Sequence, residues 1–336
     1  MLRMVVCLIS AACLLAAETP RVGVIEIFGL RKVKPEAVRK ALGISEGDPL
    51  PASKSDTEER IEGIEGVALA SLTAVCCDGG KAVLYVGIEE RGAPHFDFHS
   101  PPGLDLKVPD EISQTWLDFI IGLELAAKRG NVQEDLTRGH SLLSDPDARE
   151  CQEKFLTYAE KYFDLLREVL RGAADAQQRA IAAYVLGYSP KKKVVANDLQ
   201  YAIQDFDPTV RNNAMRALGA IAVYADLHPD SEIRVSPTWF VEMLNSVQFT
   251  DRNKASVALV NFTEKRDAAT LGLLRERALP SLIEMAQWRN LGHALPAFIL
   301  LGRAGGVPEE TIQRMWKEGK RRELVRMAAA TAPGKK

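Results

Sequence analysis

The stretch Asp207-Pro208-Thr209-Val210-Arg211-Asn212-Asn213-Ala214-Met215-Arg216-Ala217-Leu218-Gly219 decides how the C-terminal two thirds of the chain is read. It has a near copy 32 residues earlier, where Asp175, Arg179, Ala182, Leu186 and Gly187 precede Asp207, Arg211, Ala214, Leu218 and Gly219 in register. Five identities at one fixed offset mark internal repetition. A third copy follows 41 residues on, with Arg252, Ala255, Ala258 and Leu259 answering Arg211, Ala214, Ala217 and Leu218; the excess length falls in residues 225–237. A fainter fourth echo lies at residues 297–302, ending in Leu301-Gly302. Each copy reads as a helix pair. Val195, Leu199, Ala202 and Ile203 stripe a first helix, Asp205-Phe206-Asp207-Pro208 turns, and Val210, Ala214, Ala217 and Ile221 stripe the second. Such pairs cannot bury their apolar faces alone and must stack on their neighbours. The small Ala214 and Ala217 permit close approach, and Asp207 is placed to cap the helix that follows it. Further helices are expected over residues 109–128 and 147–170, the latter with Phe155, Tyr158, Tyr162, Leu165, Leu166 and Val169 as a core stripe.

The Asp207-Pro208-x-Val210-Arg211-x-x-Ala214-x-x-Ala217-Leu218-Gly219 string closely resembles the HEAT repeat. The resemblance implies an all-α, armadillo-type superhelical solenoid over residues 109–330. It also implies that the arginine of each copy holds the stack through an aspartate of the neighbouring turn. On this reading Asp175, Arg179, Asp207, Arg211 and Arg252 have structural roles, although Arg252 has no aspartate four residues before it.

The N-terminal part is patterned differently. Residues 21–28 carry Val22, Val24, Ile25, Ile27 and Phe28 and stop at Gly29, as a strand does. Pro35 suits a first helical turn, Val38, Ala41 and Leu42 share a face, and Gly43 ends the helix. A second short helix is expected over residues 53–64, with Ile61 and Ile64 inward. Two extended runs, 67–77 and 81–90, are joined by Asp78-Gly79-Gly80, whose glycines supply the positive φ of a tight hairpin. In the second run Ala82, Leu84, Val86 and Ile88 alternate with Val83, Tyr85, Gly87 and Glu89, which predicts one face for a core. The unit over residues 21–92 is thus a small α+β fold in the order β-α-α-β-β. A turn-rich linker, residues 93–108, follows it, with Phe96 and Phe98 expected to pack between the two parts.

That order resembles a POTRA domain, together with Ile27-Phe28-Gly29-Leu30, Gly43-Ile44-x-x-Gly47-Asp48, Glu65-Gly66-Val67 and Ile88-Glu89-Glu90-Arg91. The resemblance implies a bacterial envelope protein that handles other polypeptides by lending them a sheet edge. The strand over residues 68–77 would be the rim, with Ala70, Leu72 and Ala74 as protein-binding positions.

A chain of 336 residues has room for two cores, and 46% hydrophobic with 26% charged residues excludes a disordered, collagen-like or multi-span membrane protein. Lys+Arg 43 against Asp+Glu 45 leaves −2, so no overall basic field attracts nucleic acid. The runs Lys191-Lys192-Lys193 and Lys320-Arg321-Arg322 read as solvated helix ends. After Arg3 the chain is uncharged from Met4 to Ala17. As a helix that run spans about 21 Å, short of the ~30 Å hydrocarbon core. Residues 1–17 are therefore expected to be a signal peptide, and the chain to be periplasmic or secreted. Loss of the leader leaves Cys76, Cys77 and Cys151, an odd set expected to be buried thiols rather than a disulfide framework.

Assembled chemistry is scarce. His95, Asp97 and His99 share one face of an extended segment, but three near neighbours on one strand do not surround an ion. His140, His228 and His293 are isolated, and Gly63-x-x-Gly66 follows a helix without the Lys-Ser or Lys-Thr of a phosphate loop. No catalytic residue, metal or cofactor is expected. The expected function is an exported envelope scaffold or adaptor, close to a membrane, that binds a protein partner through the repeat surface and the sheet edge. Two alternatives stand beside it: a HEAT-like repeat enzyme of the lyase type, and a membrane-retained component of an outer-membrane assembly machine.

Overall fold

In the computed structural model, which describes residues 20–93 and 95–330, β1 (Val22–Phe28) runs parallel to the strand that follows it in the sheet rather than in sequence. The leader expected at residues 1–17 lies outside the described residues. Two short helices come next, α1 (Pro35–Leu42) and α2 (Lys54–Glu62), and then the hairpin of β2 (Val67–Asp78) and β3 (Lys81–Glu90). Gly79 and Gly80 take φ of 58° and 80°, the left-handed pair that a tight hairpin turn requires. Pro35 opens α1, Ser53 caps α2 by accepting from the Asp56 N–H, and Gly43 closes α1 at φ 71°. The sheet order is β1-β3-β2, so β3 is central.

One face of the sheet is covered by α1 and α2, where Val38, Leu42 and Ile61 meet Ile25, Ala70, Leu72, Leu84, Val86 and Ile88. The other face was expected to be the solvent side of β3, and it is buried as well. Val83 and Tyr85 are 2% and 0% exposed and join Phe28 in the core of the helical part. The alternation along β3 therefore distinguishes two cores rather than core from water, as in strands covered on both faces.

The helical part begins with α3 (Asp110–Arg129), a two-stranded ribbon of β4 (Glu134–Asp135) and β5 (Leu142–Leu143), and α4 (Pro146–Lys161). The single helix expected over residues 147–170 breaks at Tyr162 (φ −112°, ψ 24°), and α5 (Phe163–Gly172) continues from there. Neither proline nor glycine marks the break. The bend lets α4 pack on α3 while α5 packs on the next helix. After it come α6 (Ala176–Leu186), α7 (Lys192–Ala202), α8 (Pro208–Leu227), α9 (Thr238–Met243) and α10 (Phe249–Phe262). Next are α11 (Ala268–Leu273), α12 (Leu279–Met285), α13 (Leu291–Ala304), α14 (Glu309–Lys317) and α15 (Arg321–Ala330).

These helices pair in order: α5 on α6, α7 on α8, α9 on α10, α12 on α13 and α14 on α15. The second members then touch in series, α6–α8–α10–α13–α15. Ala214, Ala217 and Ala258 lie in the seams, and Ala214 is fully buried. A side-chain carbon on Gly187 would come within 2.7 Å of the Ala217 methyl, so this copy needs glycine there, whereas at Gly219 the nearest atom, the Ala258 methyl, would be 3.8 Å away. The chain as a whole is thus a small mixed sheet with its own two helices, packed against a larger run of paired helices. Among the described residues no helix is long and apolar enough to cross a membrane.

Candidate protein-binding surfaces and the groups that close them

The β2 edge is the first surface. An edge strand presents unpaired backbone groups to any extended partner. Here the outward N–H of Ala70 donates to Glu62 Oε1 at 3.0 Å and that of Leu72 to Glu58 Oε1 at 2.6 Å. Both carboxylates come from α2, which lies along the edge. Ala70 and Leu72 are 5% and 4% exposed, with side chains in the α1/α2 core; of the three expected positions only Ala74 is exposed. A pairing strand would have to displace two carboxylates over the first half of β2, and of the expected binding positions it meets an exposed one only at Ala74. The β1 edge is closed in the same manner, by Glu46 on the Ile25 N–H (3.1 Å) and Glu284 on the Gly29 N–H (2.9 Å). At the end of β3, Glu90 accepts from the N–H groups of Arg31, Lys32 and Val33 at 2.7–2.8 Å. Burial pushes its carboxyl up, but the three donors outweigh burial and hold it below the usual range.

The second surface is built by the repeat positions. Arg179 donates from Nη1 to the carbonyls of Ala173 and Ala174, and Arg211 from Nη1 to those of Asp205 and Phe206; Arg252 donates from Nε to the Ser246 carbonyl. In all three the carbonyl six residues back is bound, which makes the three arginines structurally equivalent. Their other nitrogens reach forward. Arg179 forms a two-pronged pair with Asp205 at 2.8 and 2.9 Å, Arg211 meets Asp251 at 2.7 Å, and Arg252 meets Glu284 at 2.9 Å. Asp175 and Asp207 do not take part in these pairs; each caps its own helix, on the Gln177 N–H and on the Thr209 and Val210 N–H groups. The expected Arg–Asp contact between turns therefore uses Asp205 and Asp251. In the third copy Ser246 stands where Asp205 does, and its hydroxyl donates to Asp251. Sequence reasoning missed these carboxylates because it sought a partner at a constant spacing from each arginine.

The two parts meet along a dense junction. Tyr85 stacks on Phe249 with centroids 3.8 Å apart, and Phe28 and Tyr85 both lean on Trp288. The Arg252 guanidinium lies 4.5 Å from the Phe28 ring centroid. Gly87 is required here, since a side-chain carbon would fall 1.9 Å from the Val247 carbonyl. At the β1 rim Arg289 grips Glu46 with both terminal nitrogens, and that pair holds the Glu46 carboxyl below its usual range. A cavity of about 320 Å³ opens beside the junction between Arg31, Arg252 and Gln287.

The linker runs over the helix turns. Phe98 lies under Arg211 at 4.1 Å, His99 stacks on Tyr201, and the His95 ring bonds Glu89. His95 and His99 are thus engaged with different neighbours, and among the described residues no group of His, Cys, Asp or Glu is placed to hold a metal. Cys151 is buried and unbridged, and burial raises its thiol pKa. Nothing is described of the Cys76 and Cys77 side chains.

A larger groove, about 860 Å³, lies where the extra residues between α8 and α9 fold back. Ile233 and Val235 of that insertion form one wall, Ala222 and Ala225 of α8 and Phe262 of α10 another. Lys265 and Asp226 pair across its rim at 2.9 Å, and Arg234 also lines it. Known family models and curated proteins contain no match to this chain.

Proposed function

We propose that the protein is an exported, non-catalytic scaffold or adaptor of the bacterial envelope, which binds an extended segment of another protein on a HEAT-type helical surface. The observation that carries this reading is the groove at the insertion. It combines apolar walls with charged groups at its rim, and it sits beside the α8–α10 seam, where an Arg–Asp pair fixes the helices. A groove of this size takes several side chains of an extended peptide, which a rigid helix layer can grip without ordering itself first. The sheet edge enters as a second surface only from Ala74 onward, because Glu58 and Glu62 occupy the donors before it. The envelope location rests on the uncharged leader, and the POTRA-like order of the small unit agrees with it.

Site-specific photocrosslinking in the native envelope tests the reading. Val235→p-benzoylphenylalanine is expected to trap a discrete polypeptide, Ala74→p-benzoylphenylalanine to trap it less, and a probe at the exposed Glu150 to trap none. Equal or absent crosslinking at all three positions contradicts a dedicated groove. Fractionation with mass determination of the N-terminus tests export, and a chain still starting at Met1 in the cytoplasm contradicts it.

A further inference from the structure

The two ends of the helix layer are finished differently. At the C-terminal end the outward positions of α14 and α15 carry Glu310, Arg314, Lys317, Arg322, Glu323 and Arg326, and among the described residues there Met327 is the one large apolar side chain left exposed. That is the polar cap which a stack of helix pairs needs at a free end. The N-terminal end lacks it. There α3 turns Ile112, Phe119 and Ala126 inward, packs on α4 and reaches Tyr184 of α6 through Trp116 and Phe119. Its opposite face carries Leu117, Ile120, Ile121 and Leu125, which are 51%, 42%, 60% and 44% exposed. Positions three and four apart are neighbours on a helix, so these four form one continuous stripe. They are four of the fourteen large apolar side chains that stand out into solvent among the described residues, gathered on nine residues of one helix. Scattered apolar exposure is ordinary, whereas a contiguous patch marks an interaction surface.

The order of residues along the stripe says what fits it. It reads alike in both directions, since Leu117 and Leu125 each lie four residues from Ile121. The ends are opposite in charge, with Asp110 and Glu111 in the first turn and Lys128 and Arg129 in the last. A second α3 laid antiparallel, about a two-fold axis at Ile121, sets Leu117 of one copy against Leu125 of the other and brings each acidic end to a basic one, with the helix dipoles opposed. A parallel copy would bring like charges together. Glu111 and Arg129 are already engaged with Lys161 and Asp145, which leaves Asp110 and Lys128 to reach across. The Lys128 pair with Glu124 is exposed on both sides and costs little to exchange. Asp118 and Glu124 flank the stripe about 120° apart around the helix, so under this two-fold axis neither faces the other. The same two acids set the face apart from a lipid-binding one, whose polar side is rich in Lys and Arg. One face of a helix of this length is about 30 Å long and about 10 Å wide, well short of the ~800 Å² that each partner of a standard complex buries. The pairing is therefore weak and depends on concentration.

We propose that α3 is a self-association surface, through which two copies of this chain pair antiparallel along Leu117, Ile120, Ile121 and Leu125 into a two-fold dimer. The face shares no residue with the groove between α8 and α9, so the dimer stands or falls independently of what that groove binds. In sedimentation velocity the full chain is expected to pass from the mass of one chain to that of two, with a dissociation constant of about 10 μM. Ile121→Glu is expected to raise that constant at least about tenfold, because two carboxylates then meet at the axis, while the circular dichroism and melting temperature of the dilute chain stay as they were. Lys128→Glu is expected to weaken the dimer, and Asp110→Lys added to it to recover most of the loss. Under mild oxidation Ile121→Cys is expected to give a covalent dimer and Ala127→Cys, exposed but off the stripe, to give none. A chain that stays single at every concentration overturns the proposal, as do open-ended oligomers, a dimer indifferent to Ile121→Glu, a charge exchange that recovers nothing, or equal crosslinking at both cysteine positions. Capture of a single chain by phosphatidylglycerol vesicles, abolished by Ile121→Glu, would overturn it in favour of a lipid surface.

Discussion

In the sheet, carboxylates close the backbone: Glu58 and Glu62 accept from β2, Glu46 and Glu284 from β1, and Glu90 from the loop at residues 31–33. In the helix layer the sign is reversed, and guanidinium groups of Arg179, Arg211, Arg252 and Arg303 donate to carbonyls at the ends of preceding helices. Each choice follows from what the element leaves unpaired: an edge strand offers N–H groups to any passing chain, and a helix ends in orphan carbonyls. The difference lies in reach. A carboxylate on the edge serves chiefly to seal it, whereas each arginine has nitrogens to spare for an acid of the next turn, so the helix pairs are linked serially. Glu284 belongs to both systems, accepting from Gly29 on one oxygen and from Arg252 on the other.

The comparison breaks most sharply at the helix seam. Ala214→Asp puts an unpaired carboxylate in a fully buried position and is expected to cost about 4 kcal/mol, read from urea unfolding followed by circular dichroism. An unchanged midpoint means the seam is not a packed one. Gly87→Ala strikes the junction instead. Overpacking against the Val247 carbonyl is expected to cost about 2 kcal/mol and to speed hydrogen exchange at Phe28 and Tyr85 before it does so in α6 or α8. Uniform exchange would make sheet and helices a single cooperative unit. Asp207→Ala removes a cap from two N–H groups and is expected to cost about 1 kcal/mol.

The segment between α3 and α4 is probed by the response to acid. Burial first, then Lys192 and Arg138, holds His140 at about 4, below its ordinary 6.5. The unfolded chain binds that proton first, so this contribution is fully present above about pH 6.5 and is lost as the pH falls toward 4. Urea midpoints are expected to decline over that window, and less so in His140→Asn. A decline of equal slope in the variant assigns the acid response to other groups.

Much of this architecture was legible in the chain. The hairpin glycines, the Pro35 and Gly43 limits of α1 and the Asp/Arg spacing of α6 and α8 act locally, so their signals lie within a few residues of their effect. The contacts that were not legible are those made at a distance. Tyr85 reads the same on a strand whether a helix of its own unit or Phe249 covers it. Glu58 and Glu62 look like a solvated helix face, and nothing in the residues themselves tells that they reach across to β2. The break at Tyr162 carries no sequence mark because tertiary packing, not propensity, decides it. The burial of His140 against Tyr188, two residues beyond α6, is of the same kind, since no spacing in the sequence brings the two together.

The serial linkage of helix pairs is tested most directly by a double-mutant cycle on Arg211→Met and Asp251→Asn, which are 2% and 0% exposed at their side chains and 2.7 Å apart. Arg211→Met alone strands a buried carboxylate and is expected to cost about 3 kcal/mol, the double variant little more, and the coupling energy to reach about 1.5 kcal/mol or above. Additive losses, with coupling below about 0.3 kcal/mol, would contradict the account, because Arg211 would then serve only its own turn.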